Sequence, residues 1–457
     1  MVDQDDLEKG WFKAFRDLLV EWLGEETWHH RREAYLANIR HQEASIDWSK
    51  PVEPQLFAPR DNDINWYILA SELAWDHPYS DSNYSTRRLY PYIMAIGRYA
   101  KELREVPNVG DVASKMLGNK SSPETQLFEL LTATFYLKNG FQVEFIPENS
   151  IDWPDGGKKS PDLLVKKHFE MYVECKRAAK QTRYSQSEEA IWSIIWQGLS
   201  AHMLATTPWR VADVTFHNEL ASVSMDEVIQ AYDLAIRRNV TVVLPSLTIA
   251  VRGMDTAVIQ NHYDSNSVRP NSPQQELLVF GNIDYNEKRS IATVAQSVVK
   301  PGDPDEVLNY FIDRVACCAA AQWSCAHSIS IERRSKHFKH LVADAFTQVP
   351  PFKPGVIHVW YETREGLDVE FLRREKHIEN LYKFDAAGST VLGVFIHGVN
   401  YYPTETNYEW AETVQDFCRL KDLHAIFKDK LMLSGENTPS ASDTTHWAQD
   451  LASKLKR

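Results

Sequence analysis

Two short segments carry charged residues in places where a buried strand would be apolar. They are Ser160–Val165, which reads SPDLLV, and Met171–Lys176, which reads MYVECK. Alternate residues of an extended strand share a face, so Glu174 and Lys176 point to one side of their strand and their neighbours to the other. If the two segments pair, the carboxylates of Asp162 and Glu174 converge beside the Lys176 ammonium.

That grouping suits metal-assisted hydrolysis of a phosphodiester. Mg²⁺ is typically held by one or two carboxylates together with water and substrate phosphate. A lysine beside the ion can orient the attacking water and stabilise the negative charge that develops on the phosphate. Asp162 and Glu174 are therefore the predicted ligands of Mg²⁺, with Mn²⁺ able to substitute, and Lys176 is the predicted catalytic lysine.

The same segments resemble the PD-(D/E)xK nuclease superfamily, which has the restriction-endonuclease-like fold. Pro161 and Asp162 match the first element of its motif, and Glu174, Cys175 and Lys176 match the second. The resemblance covers about residues 121–203. It implies a mixed α/β sheet flanked by helices, built from an acid-bearing helix, a three-stranded meander and a second helix. It also implies a Mg²⁺-dependent endonuclease, with DNA favoured over RNA as its substrate.

Two helices are predicted to frame the meander. The first ends at Gly140, and Glu124 is interpreted as part of a capping box at its start. In relatives the helix acid lies about three turns before that glycine, which makes Glu129 a catalytic-site acid that supports the metal directly or through water. The second helix begins near residue 187 and contains Gln197. Some relatives place a glutamine there, beside the active site; an ordinary helix glutamine is the alternative.

Further strands and helices are expected along the chain. The expected strands are 141–146, 211–216, 241–244, 247–251, 277–280, 356–361 and 391–396, and the expected helices include 310–321 and 334–346. Those between 211 and 280 are expected to complete the nuclease sheet. The predicted organisation is a helical domain at 1–118, the nuclease core at 119–298, a C-terminal α/β extension at 299–433 and a polar tail at 434–457. His358 and His397 lack metal-ligand spacing and are interpreted as satisfied or surface histidines.

The residues around the motif are basic in a chain that is acidic overall. Between residues 156 and 183 there are eight lysines and arginines and three acids, whereas the whole chain has a formal net charge of −13. A basic strip beside a carboxylate cluster is what a phosphate backbone requires. The predicted nucleic-acid contacts are Lys158, Lys159, Arg177, Lys180 and Arg183.

Composition indicates the broad class and the compartment. With 457 residues, 43% of them hydrophobic and 25% charged, the chain is expected to form two or three soluble domains. Five cysteines without a CxxC pair indicate neither a disulfide framework nor a structural zinc, and they fit a reducing cytoplasm. The amino terminus lacks a secretory signal pattern, and no apolar run is long enough to span a bilayer.

Other interpretations stay open. The chain could be a nuclease-fold binding module without turnover, or an RNase that uses the same site. The intact set of Asp162, Glu174 and Lys176 argues against the binding module, whereas nothing in the sequence separates DNA from RNA. The tryptophan-rich N-terminal helices are interpreted mainly as core that could also hold a protein partner, and a homodimer is left open.

Overall fold

The computed structural model describes most of the chain. The described residues are 4–47, 55–60, 62–76, 84–118, 122–154, 156–270, 272–281, 289–299, 307–308, 311–336, 338–383, 388–403, 408–420, 423–434 and 444–456. Much of the predicted polar tail, residues 435–443, lies outside the described residues. No helix within the described ranges is both long and apolar enough to cross a membrane.

The amino-terminal region is helical, as predicted. Its helices are α1 (Gln4–Leu23), α2 (Glu25–Ala44), α3 (Ile64–Asp76), α4 (Tyr84–Arg98), α5 (Ala100–Arg104) and α6 (Val109–Leu117). Phe15, Leu18 and Leu19 recur on one face of α1 and are fully buried in a core shared with α3 and α4. The same core continues onto one face of the first sheet, so the helices and that sheet pack as one hydrophobic unit.

A helix and a three-stranded meander follow. They are α7 (Glu124–Lys138), β1 (Gln142–Phe145), β2 (Leu163–Lys166) and β3 (Glu170–Arg177). Both neighbouring pairs, β1 with β2 and β2 with β3, are antiparallel. The predicted first helix and the predicted strands of the motif are therefore confirmed.

A long segment separates β3 from the remaining strands of its sheet. Its elements are α8 (Arg183–Thr206), β4 (Arg210–Phe216), α9 (Met225–Arg238), β5 (Val242–Val243), β6 (Leu247–Gly253), α10 (Thr256–Ser265), α11 (Pro273–Phe280), β7 (Arg289–Val299), β8 (Phe311–Cys325) and α12 (Ser328–Arg334). Their strands form a separate five-stranded sheet in the order β5-β6-β4-β8-β7. The prediction that the strands between 211 and 280 complete the motif's sheet is therefore wrong, and 277–280 is helical.

Strand β8 also corrects the predicted helix at 310–321. Its alanines favour a helix by intrinsic propensity, but β8 pairs with β4 on one side and β7 on the other. Ala319, Ala320 and Ala321 are fully buried in this central position. Tertiary pairing overrides the local preference because it satisfies the backbone of β8 on both edges.

The late elements complete the first sheet. They are α13 (Lys339–Phe346), β9 (Gly355–Glu362), α14 (Leu367–Tyr382), β10 (Val391–Pro403), β11 (Tyr408–Cys418) and α15 (His446–Leu455). The sheet has the order β1-β2-β3-β9-β10-β11, in which β9 is parallel to both β3 and β10. Every residue of β9 is buried, as expected for a central parallel strand covered on both faces. Strands from the predicted core and from the predicted C-terminal extension thus share one sheet, and the α/β class is confirmed.

A buried hydrogen-bonded chain joins α7 to this sheet. The Tyr136 hydroxyl lies 2.9 Å from His358 Nε2, His358 Nδ1 lies 3.0 Å from His397 Nε2, and His397 Nδ1 lies 2.9 Å from Glu412 Oε1. One assignment satisfies every contact: Tyr136 donates to His358, His358 to His397, and His397 to the carboxylate. His358 and His397 are therefore satisfied core histidines, and burial lowers the pKa of His358 far below its usual range.

Candidate functional site

The register of β2 and β3 brings Asp162 opposite Glu174. Leu163 pairs with Val173, and the Asp162 N–H donates to the Val173 carbonyl at 3.1 Å, which extends the pairing by one residue. The Cys175 N–H donates to Asp162 Oδ2 at 2.6 Å, which fixes the carboxylate against β3. The sequence prediction that the two acids lie on neighbouring strands is confirmed.

The two faces of β3 are divided as predicted. Val173 and Cys175 are buried in the core that contains α7, so Glu174 and Lys176 face the opposite side of the sheet. Lys176 Nζ donates to Glu174 Oε1 and to the side-chain oxygen of Gln348, which follows α13. Glu174 is 1% exposed, whereas the side chain of Lys176 keeps 20% exposure. The ammonium is therefore the part of the group nearest to solvent.

Glu174 has an unused oxygen. Its Oε2 atom is buried and has no hydrogen-bond partner among the described residues. A buried carboxylate oxygen without a donor is costly, on the order of 1–3 kcal/mol. A cation, or a water held by a cation, would satisfy it.

The pKa shifts of the site residues also favour a cation at this position. Burial raises the pKa of Glu174 well above its usual range, and the neighbouring charge of Asp162 adds to the shift. Burial also raises the pKa of Asp162 to about 6, against the opposing effect of the Cys175 N–H and Lys176. Burial alone would lower the pKa of Lys176, but Glu174 raises it. The site thus gathers more negative charge than one lysine neutralises.

Glu129 lies on α7 and interacts electrostatically with both strand acids. It is half-buried, and burial together with the charge of Asp162 raises its pKa well above the usual range. Within the described residues, no group of three or more His, Cys, Asp or Glu side chains is arranged to hold a metal ion. The predicted role of Glu129, to support the metal directly or through water, stays a prediction.

The prediction for Gln197 is wrong. Gln197 is exposed on α8, and the buried face of that helix, which includes Trp192, Trp196 and Leu199, packs into the core of the second sheet. On the face of β3 that carries Glu174, the helix that packs against β3 and β9 is α13. The glutamine beside Lys176 is accordingly Gln348, 172 residues further along the chain.

Two of the predicted phosphate contacts are occupied by an internal ionic cluster. Arg177 Nη1 lies 2.5 Å from Glu124 Oε2, and Lys180 Nζ lies 3.1 Å from Glu124 Oε1. Arg88 of α4 contacts both Glu124 and Glu362. The interpretation of Glu124 as a helix cap is wrong, because its carboxylate is buried among these cations. Arg177 and Lys180 consequently neutralise protein charge instead of facing an open groove.

The other predicted contacts lie at the surface. Lys158 and Lys159 are exposed in the loop that leads to Asp162; Lys158 pairs with the exposed Asp152 at 3.3 Å, and the Lys159 ammonium lies 5.8 Å from the Trp153 ring. Arg183 is exposed at the first position of α8. Exposed pairs of this kind are weak, so these side chains can turn toward a phosphate.

Sequence reasoning missed one further cation near the site. Lys115 of α6 acts electrostatically on both Glu129 and Asp162, and its ammonium pairs with the exposed Glu148 at 2.7 Å. No local signal marks Lys115, because it belongs to the helical region and reaches the site only through the packing of α6 against α7 and β1.

Comparison with known proteins adds no relative. No family model, no curated protein and no solved structure matches this chain. What bears on function is therefore the site itself: the buried Glu174 and the half-buried Asp162 on adjacent strands, an ammonium beside them, and exposed lysines on the loop that leads to them.

Proposed function

We propose that this chain is a Mg²⁺-dependent nuclease that hydrolyses phosphodiester bonds, with DNA as the favoured substrate. The observation that carries the proposal is the pairing of Asp162 with Glu174 across adjacent strands, with Lys176 on the same face as Glu174 and Glu174 Oε2 unsatisfied. Two carboxylates are enough for Mg²⁺, which keeps several waters and also takes oxygens from substrate phosphate.

The donor set fits a hard cation. Asp162 and Glu174 supply oxygen atoms, and the described residues place no cysteine or histidine ligand with them. When bound there, Mg²⁺ would supply Lewis-acid stabilisation of the charge on the phosphate and would help to orient the attacking water. The raised pKa values of the acids are those of a site that gains from an added positive charge.

Lys176 has the properties of a phosphate-directed cation. Its pKa is raised, because Glu174 outweighs the effect of burial, so it stays charged at neutral pH. Its ammonium is partly exposed and is oriented by Gln348 as well as by Glu174. A substrate phosphate that approaches this face would accept a hydrogen bond from Lys176. Glu129 of α7, which interacts electrostatically with Asp162, is the proposed additional support of the ion, directly or through water.

The order of elements supports the resemblance to the PD-(D/E)xK superfamily. An acid-bearing helix, α7, precedes the meander β1-β2-β3, and α13 packs on β3 and β9 in the place of the second helix. The segment that carries the second sheet is inserted between the meander and that helix. An insertion of this kind explains why α8, the next helix in sequence, is not the one beside the motif.

One observation favours a second candidate, a binding module without turnover. Lys176 already contacts Glu174 directly, which compensates part of the buried charge without a metal. A protein that had lost catalysis but kept the fold would preserve this ion pair for stability. The two candidates differ in whether phosphodiester bonds are broken when Mg²⁺ is added.

The deciding experiment is a cleavage assay with supercoiled plasmid, linear duplex DNA and RNA, each in Mg²⁺, in Mn²⁺ and in EDTA. We expect linearisation of the plasmid with either metal and none in EDTA. Lys176→Gln should reduce the cleavage rate by about 10²–10³-fold, because it removes a charge aimed at the developing anion. Binding should change little, since one of several basic groups is lost.

Each result assigns the chain to one candidate. Full cleavage in EDTA would contradict the metal mechanism. Metal-independent binding of DNA with no cleavage by the wild-type chain would establish the binding module. Cleavage of RNA alone would keep the mechanism and replace the substrate.

The exposed loop that carries Lys158 and Lys159 should determine the affinity for DNA and not the rate of cleavage. Replacing Lys158 and Lys159 together by alanine should weaken DNA binding and lower the slope of log K against log salt by up to about 1.8, the value for two phosphate contacts on duplex DNA. The matched control is Arg237→Ala with Arg238→Ala, an exposed basic pair on α9. Equal salt slopes for wild type and the loop variant would place the phosphate contacts elsewhere.

A further inference from the structure

A polar cavity lies in the helical region, on elements that do not carry Asp162 or Glu174. Its volume is about 320 Å³, and Arg16, Trp28, Arg32, Glu72 and Trp75 are among the residues that line it. These side chains come from α1, α2 and α3. A volume of this size lies at the lower end of the range for small-molecule sites.

A buried carboxylate organises the cavity. Glu72 Oε1 accepts hydrogen bonds from Trp28 Nε1 at 2.7 Å and from Arg16 Nε at 3.2 Å, and Glu72 Oε2 accepts one from Arg32 Nε at 2.7 Å. Both arginines are therefore held through Nε, the inner nitrogen of the guanidinium group. Their Nη1 atoms contact other acids.

The Nη1 atoms of both arginines contact acids near the surface, of which Asp17 is half-buried and Glu25 and Glu33 are exposed. Arg16 Nη1 lies 3.2 Å from Asp17 and 3.3 Å from Glu25, and Arg32 Nη1 lies 3.3 Å from Glu33. Ion pairs near the surface at these distances are weak. A ligand anion that formed bidentate, partly buried contacts with both guanidinium groups would displace them.

An aromatic ring borders the same cavity. Trp75 is 36% exposed, whereas Trp28 and Trp66 are buried in the core. The Lys13 ammonium lies 5.0 Å from the centre of the Trp75 ring. A half-exposed indole beside two oriented arginines offers a stacking surface for a planar group.

We propose that this cavity binds a nucleotide, with its phosphate on Arg16 and Arg32 and its base against Trp75. The nucleotide is supplied either as a free mononucleotide or as the 5′-phosphorylated end of a strand. A phosphate is favoured over a carboxylate because it has three terminal oxygens and can accept from two guanidinium groups that approach from different helices.

The charged side chains that line the cavity include two arginines, Arg16 and Arg32, and two acids, Glu72 and Glu25. Glu25 is exposed and contacts Arg16 Nη1 at 3.3 Å, so it is the acid that a phosphate would displace. Arg16, Arg32 and Glu72 would then carry a net charge of about +1 at neutral pH. The site does not depend on the proposed nuclease activity, since it shares no residue with the strand acids and needs no metal.

The test is isothermal titration calorimetry of the full chain in EDTA, where metal-dependent cleavage is suppressed. The probes are adenosine 5′-monophosphate, adenosine, and one short oligonucleotide with either a 5′-phosphate or a 5′-hydroxyl. We expect saturable binding of the monophosphate and at least tenfold weaker binding of adenosine. Arg32→Gln and Trp75→Ala should each raise the Kd of the monophosphate at least tenfold.

Arg104→Gln is the matched control, because Arg104 is an arginine of the same helical region whose partner, Glu21, lies outside the cavity lining. Its Kd should equal that of wild type. Trp75→Ala keeps the test decisive if Arg32→Gln fails to fold, since Trp75 is half-exposed and makes no hydrogen bond to Glu72. If the 5′-phosphorylated strand binds at least tenfold more tightly than the mononucleotide, the ligand is a strand end; comparable affinities indicate a free nucleotide.

Two outcomes would overturn the assignment. One is the absence of saturable binding of both phosphorylated probes to the wild-type chain. The other is binding that Arg32→Gln and Trp75→Ala leave unchanged. A failure of either kind says nothing about cleavage, which is measured with Mg²⁺ at a different site.

Discussion

Asp162→Asn and Glu174→Gln should abolish cleavage and, in EDTA, make the protein more stable than the wild type. Each variant removes one of the two oxygen ligands proposed for Mg²⁺, so we expect a loss of at least about 10³-fold in rate, as for removal of a group that acts as part of a unit. Each also removes a charge that the folded protein holds at a cost. Activity and stability should therefore change in opposite directions.

The sign of the stability effect follows from the raised pKa values. Burial raises the pKa of Asp162 from 3.8 to about 6, so the folded state resists ionisation of this group. Its contribution favours folding below pH 3.8 and is lost as the pH rises through 6. The shift corresponds to about 3 kcal/mol at most, which Asp162→Asn should recover at pH 8 while its side-chain oxygen can still accept the Cys175 N–H.

Urea denaturation in EDTA at pH 8 and at pH 4 measures this effect. The variants should exceed wild type in free energy of unfolding at pH 8, and the difference should largely disappear at pH 4. Added Mg²⁺ should stabilise the wild type but not the variants. Glu144→Gln, an exposed acid on β1, is the control and should be neutral under all conditions. Variants that were less stable than wild type at pH 8 would show that the acids are structural partners and not an unfilled cation site.

The part of the site that could be predicted is the part encoded within a few residues. The alternation around Glu174 determines which side chains share a face of β3, and Asp162 is placed by the first residues of the neighbouring strand. A helix that stops at a glycine positions Glu129 on α7. These are local consequences of backbone geometry, and each was confirmed in position, although the catalytic roles remain proposals.

The part that could not be predicted depends on which elements meet in space. Gln348 reaches Lys176 because the chain returns to the first sheet only after the second sheet has been built. Gln197 lies at a plausible distance along the sequence, but its helix packs on that second sheet. The helix propensity of alanine also gives a wrong prediction for β8, where buried alanines lie in a strand that is paired on both edges. Local patterns carry no information about which sheet a later strand joins.

The structure also differs from the prediction in the role of two basic residues. The sequence predicts phosphate contacts at Arg177 and Lys180 because basic residues near an acidic motif commonly bind a polyanion. Their partner Glu124 lies more than fifty positions earlier and looks like an ordinary helix-capping acid in sequence. Only the packing of α4, α7, β3 and β9 shows that these charges neutralise one another in the interior.

Glu124→Gln should be among the most destabilising isosteric substitutions in the chain. Burial alone would raise the pKa of Glu124, but Arg88, Arg177 and Lys180 lower it to about 2 from 4.5. Its carboxylate also accepts a hydrogen bond from the Tyr67 hydroxyl at 3.1 Å. The variant leaves three neighbouring cations without this anion, and breaking a buried ion pair from one side costs about 3–5 kcal/mol. The pKa shift independently corresponds to about 3 kcal/mol.

The pH dependence separates this role from simple packing. A lowered pKa contributes stability that is present above pH 4.5 and is lost as the pH falls through about 2. The difference in free energy of unfolding between wild type and Glu124→Gln should therefore be largest near pH 7 and shrink as the pH falls from 4.5 toward 2. Glu21→Gln, which removes the exposed partner of Arg104, should change stability by less than about 1 kcal/mol. A pH-independent loss in Glu124→Gln would assign its cost to packing and return Arg177 and Lys180 to the set of cations able to meet a phosphate backbone.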